Sequence, residues 1–187
     1  MQNEMKIETI ECHGQRIEIG YDCDPINPRE DFDNLSTFAF FHRDFKNESD
    51  ILSSCHNSLE DIRKYLEKEY DAICVPVYAY IHSGVALNTT GFSCPWDSGQ
   101  LGFAYVTKEK AREWFSWKLI SKKRKEQLKE YLEGEVEIYN QYINGEVYCY
   151  EVYDREGDLI DSCYGYFGKD DCIGEAIQVA KNHDMVA

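Results

Sequence analysis

A chain of 187 residues, 43% hydrophobic and 14% aromatic, has enough apolar material for a single domain, 1–187, whose core needs no disulfide or metal staple. Its 35 acidic against 20 basic residues leave a formal charge of −15, which repels nucleic acid and anionic membrane and favours basic partners or plain solubility. Eight cysteines without a CxxC pair argue against a zinc ribbon or a thioredoxin-like site. The absence of a leader-like N-terminus or a long apolar run predicts a soluble chain with free thiols in a reducing compartment.

Residues 6–22, KIETIECHGQRIEIGYD, predict a β-hairpin turning at His13-Gly14. The next stretch, DCDPINPREDFDN (22–34), has two prolines among its carboxylates and reads as an ordered acidic loop, unfit for a central strand or a helix interior. LSTFAFFHRDF reads as a buried strand. Asn57-Ser58 caps a predicted helix over LEDIRKYLEKEY, and AICVPVYAYIHS is a strand whose Pro76 belongs at an edge or bulge. Residues 84–100 read as glycine-punctuated loop with a short strand at 85–87. LGFAYVT follows as a strand, and Thr107 opens a helix running to Phe115.

The longest helical pattern covers 119–143, with Leu128, Tyr131, Leu132, Val136, Tyr139 and Ile143 at helical steps. Its basic KKRK start and acidic later half both oppose the macrodipole, so either packing supplies the stability or KKRK lies in a separate short helix or turn. GEVYCYEVYDREGDLIDSCYGYF predicts a second hairpin, with Tyr148, Tyr150 and Val152 on one face, and DDCIGEAIQVAKN a C-terminal helix. The class expected is α+β: a mainly antiparallel sheet built from hairpins, packed with helices of which one is long.

His82, Cys94, Asp97 and Ser98 are the residue types of a thiol or hydroxyl nucleophile with its base and orienting acid, although their spacing matches no protease signature. The plainer reading is a turn: Cys94-Pro95 is extended, Asp97-Ser98-Gly99 is turn chemistry, and Trp96 plugs a core edge. The carboxylates Asp22, Asp24, Glu30, Asp31 and Asp33 form a solvated loop, a surface for a basic partner, or a hard-cation site that lacks EF-hand spacing. Cys12-His13, Cys55-His56 and His42 are scattered metal-ligand types whose plainer reading is buried thiols and surface imidazoles. Asp154, Glu156, Asp158 and Asp161 read as a charged edge that blocks strand addition.

Three blocks carry a resemblance: NPREDFDNLSTFAFFHRDF, YIHSGVALNTTGFSCPWDSGQLGFAYVTKEKAR and YNQYINGEVYCYEVYDREGDLIDSCYGYFG, about three quarters of the chain. Together they resemble a family of small proteins of phages and prophages, mostly of Gram-positive bacteria, with PRExDNL and WDSGQxGF motifs. Members read like PREWDNLG at the first block and LDSCWGFYG at the third. Here Phe32 replaces the Trp of the first, Ser36 its Gly, and Tyr164 the Trp of the second.

The resemblance implies a mobile-element origin and groups Arg29, Asp33, Asn34, His42, Arg43, His82, Ser83, Gly84, Trp96, Asp97, Ser98, Gln100, Asp161 and Ser162 as one motif set; Arg29, His82, Trp96, Asp97, Ser98 and Gln100 of that set, with Cys94, make a candidate pocket. The function expected is an acidic inhibitor, of anti-CRISPR or anti-restriction type, that binds a basic, nucleic-acid-handling host protein in the cytoplasm of an infected or lysogenic bacterium. Its contact residues would be Asp22, Asp24, Glu30, Asp31 and Asp33 with Glu130, Glu133, Glu135 and Glu137 of the long helix. No direct nucleic-acid or membrane contact, cofactor or metal is expected. The alternatives are a Cys/His/Asp hydrolase using the 82–98 pocket, or a nucleotide-binding sponge with Trp96 as stacking surface.

Overall fold

The computed structural model describes residues 6–51 and 58–184. The protein is α+β, and all its strand pairings are antiparallel. The chain divides into two compact units. One joins the two chain ends, 1–31 and 141–187, and the other is the continuous segment 32–140.

In the terminal unit, β1 (Lys6–Cys12) and β2 (Gln15–Tyr21) form the first hairpin, with His13 and Gly14 both at positive φ, as a two-residue primed turn requires. β7 (Val147–Tyr153) and β8 (Leu159–Phe167) complete a sheet of order β1-β2-β7-β8. Helix α5 (Lys169–Asp184) lies on one face. Its Cys172, Ala176 and Ala180, four residues apart and small, let the helix sit close on Ile17, Ile19, Tyr148, Tyr150 and Val152. The acidic stretch is not all loop. Asn27 accepts the Arg29 amide on its side chain, Pro28 takes the first helical position, and α1 (Pro28–Asp31) makes one turn.

In the continuous unit the sheet order is β3-β6-β4-β5, from Thr37–Phe40, Ser98–Thr107, Ala72–Ile81 and Val85–Asn88. β5 pairs only with residues 78–81 of β4, so Pro76 sits where that side of β4 has no partner strand, beside the register shift at Val77/Tyr78. Helix α2 (Leu59–Lys68) is capped by the Ser58 hydroxyl, and packs Ile62 and Leu66 on Ala39, Phe103 and Tyr105. Asn57 lies outside the described residues. Thr107 caps α3 (Lys108–Phe115) in the same way.

Helix α4 (Lys122–Ile143) is continuous from the KKRK segment onward. The Ser121 hydroxyl caps it by accepting the Arg124 amide, and the Arg124 guanidinium turns back over the Trp117 ring and donates to the Leu119 carbonyl. Leu128, Leu132 and Val136 are its buried stripe, and Gly145 at positive φ ends it, its amide donating to the Tyr142 carbonyl and the Glu146 amide to the Gln141 carbonyl. Among the described residues no helix is long and apolar enough to cross a membrane.

Candidate functional site

The 82–98 segment, which carries β5, runs from the end of β4 to the start of β6 and is closed by the Ile81 amide donating to the Asp97 carbonyl at 2.8 Å. Within it the carboxylate of Asp97 is central. The Cys94 thiol donates to its Oδ2 at 3.7 Å, and His82 Nδ1 stands 3.6 Å from the same oxygen. The Ser98 hydroxyl donates to the Cys94 carbonyl, and the Gln100 amide to the Gly102 carbonyl. Beside them is a shallow cleft of about 170 Å³, lined by His42, Ile81, Asp97 and Gln100 among others.

The predicted set is thus gathered, but in an order that does not suit a thiol nucleophile. Such a site needs the imidazole at the sulfur and the carboxylate behind it. Here the sulfur and the imidazole both face the carboxylate, and no hydrogen bond joins Cys94 to His82. Ser98 spends its proton on a backbone carbonyl. Trp96 does not plug a core edge: it is 90% exposed, because β6 begins at Ser98 and leaves the preceding turn outside the sheet. Arg29 belongs to α1 of the terminal unit, while the rest of the candidate pocket lies in the continuous unit. The half-buried Cys74 and the buried Cys149 and Cys172 offer no other nucleophile, since desolvation pushes the first two up to about 11 and Cys172 up to about 12.

The carboxylates are the second candidate. The terminal unit holds 18 acidic and 6 basic residues, net −12, and the continuous unit 17 and 14, net −3. Asp24, Glu30 and Asp31 are exposed, and Asp22 accepts the Asp24 amide. The β7–β8 turn and the first turn of α5 add Asp154, Glu156, Asp158, Asp170 and Asp171 to the same unit. Asp33 and the α4 carboxylates fall in the nearly balanced unit, where Glu130, Glu133 and Glu137 are exposed.

Glu135 is set apart from them. Its carboxylate accepts the Leu35 amide at 2.7 Å, the Ser36 amide at 2.9 Å and the Ser36 hydroxyl, so it clamps the start of β3 instead of facing a partner. Asp161 likewise accepts the Tyr150 hydroxyl at 2.8 Å, and burial together with that bond raises the tyrosine above its ordinary range. Among the described residues no three His, Cys, Asp or Glu side chains converge as they would around a metal ion, and Cys55 and His56 lie outside those residues. The chain matches no family model, no curated protein and no solved structure.

Proposed function

We propose that the protein is an acidic inhibitor that occupies the nucleic-acid-binding groove of a basic host protein. Its setting, on this reading, is a phage or prophage countering a bacterial restriction or CRISPR system. The observation that carries the reading is the concentration of charge: −12 on the unit built from the chain ends, against −3 on the other. A carboxylate-dense surface mimics the phosphate charge that a basic groove is built to hold, and steers association over a Debye length. The contact face is centred on Asp22, Asp24, Glu30 and Asp31, whose side chains lie on α1 and the segment before it.

The test is affinity capture from bacterial lysate at low and high salt, followed by competition with duplex DNA. Expected is a captured protein that binds DNA, is released by salt and by the duplex, and is lost when Asp22, Asp24, Glu30 and Asp31 are all changed to Lys. Capture that survives the fourfold reversal, or a captured partner indifferent to DNA, would overturn the reading.

A further inference from the structure

A polar recess of about 330 Å³ opens in the terminal unit between the β1–β2 turn, the β7–β8 turn and the last turn of α5. His13, Gln15, Arg155 and His183 line it, with the carboxylates of Asp154, Glu156 and Asp184. Its volume is at the small end of the range for small-molecule sites.

Gln15 is the feature that asks for a ligand. It is the first residue of β2 and only 5% exposed. Its amide nitrogen donates to His183 Nδ1 at 3.0 Å, while Oε1 of the same amide is buried and accepts no hydrogen bond. Among the described residues it is the one buried side-chain polar atom left so, and folded proteins rarely leave such a group unpaired. The neighbouring Arg155 does not reach it. That guanidinium lies over the hairpin turn, where a methyl on Gly14 would come within 2.5 Å of Nη2. It therefore walls the recess without filling it.

The electrostatics select the ligand. Three carboxylates face one guanidinium, the C-terminal end of the 16-residue α5 adds its negative pole, and His13 Nδ1 stands 3.8 Å from Asp184 Oδ2. The three carboxylates and the helix end outweigh the single Arg155 guanidinium against an anion, and an apolar cation would leave Gln15 Oε1 unpaired. The complementary species carries positive charge and N–H donors on the same head.

We propose that this recess binds a small organic cation through a primary ammonium or guanidinium head that is neutralised by Asp154, Glu156 and Asp184 and donates to Gln15 Oε1 once the amide turns toward it, since that oxygen is closed to water in this structure. The site is independent of the protein partner proposed above, since none of its residues is among those reversed in that test.

The experiment is calorimetric titration of the full chain with putrescine, agmatine, acetyl-lysine amide and tetramethylammonium, with the His13 and His183 ring resonances followed by NMR. Putrescine or agmatine should bind and shift both rings, while tetramethylammonium, of equal charge per cationic head but without N–H, should bind at least about tenfold more weakly. Acetyl-lysine amide binding as tightly as putrescine would support the same head-group assignment with a peptide side chain as its source. Gln15→Met should weaken binding about tenfold or more. Asp184→Asn, at an exposed position where folding is not at stake, should weaken it severalfold. The proposal is overturned if neither putrescine nor agmatine binds, if tetramethylammonium binds equally, or if both variants bind as the wild type does.

Discussion

Two residues show how much a single atom decides in this chain. Gly102 lies on β6 opposite Phe40, and a methyl there would stand 2.0 Å from the Ala39 carbonyl oxygen. That neighbour is backbone, so β3 itself would have to move away from β6. Gly102→Ala should destabilise the protein by about 2–3 kcal/mol in urea unfolding, the upper range for overpacking, and a change under about 0.5 kcal/mol would show that β3 is free to shift. Glu135 is the polar counterpart. Glu135→Ala strands the amides of Leu35 and Ser36, in residues 1% and 3% exposed, and should cost about 2–4 kcal/mol, whereas Glu135→Gln keeps a carbonyl acceptor and should cost about half as much. Equal losses for the two variants would mean that helix packing, not the clamp, is what the mutation disturbs. Neither role was legible in the sequence. Gly102 is one more residue of a strand pattern, and Glu135 one more carboxylate on a helix, because the groups that define them arrive from 60 to 100 residues away.

Elements were legible where their chemistry is local. The Ser58 and Thr107 caps and the His13-Gly14 turn all act within four residues, and each sets a boundary that can be read directly. β6 begins three residues before LGFAYVT because Ser98, Gly99 and Gln100, which have the composition of a turn, find partners in Tyr78, Ala79 and Tyr80 of β4. Pro28 and Asn27 make a helical turn where prolines and acids suggested only loop.

The α5-covered sheet also carries a pH dependence with a definite sign. Burial raises Cys149 to about 11 and Cys172 to about 12, above the ordinary thiol near 8.5, so the folded state holds protons that the unfolded chain releases. The resulting stabilisation is complete below about pH 8.5 and is lost as pH rises through 11 to 12. The slope approaches about 1.4 kcal/mol per pH unit per thiol, with Tyr150, also raised by burial, adding to it above about pH 10. Thermal melts followed by circular dichroism should fall steadily from pH 8 to 11, and less steeply in Cys172→Ala. An unchanged slope in that variant would remove the thiol from the account.

At the scale of the molecule, the division of charge was hidden by the order of the chain. Read linearly, the carboxylates seem spread over the 22–33 stretch, α4 and the last hairpin. Only when the first 31 residues join the last 47 in one unit does an excess of −12 emerge, with α4 and its basic first turn left in a unit near neutrality. So large a like-charge excess on one small body opposes its own compact state. Raising salt from about 20 to about 500 mM shortens the screening length from roughly 20 to roughly 4 Å and should relieve that repulsion. The melting temperature should therefore rise with sodium chloride, by several degrees if the relief is worth about 1 kcal/mol. Binding to a basic partner must move the other way over the same range, because there the opposite charges attract across the interface and salt weakens them. Fourfold Asp22, Asp24, Glu30 and Asp31→Lys reduces the unit's charge from −12 to −4 and should flatten the salt response of stability in the same variant that loses the partner. If it flattens the stability response while the partner still binds with its full salt dependence, the proposed contact face is overturned.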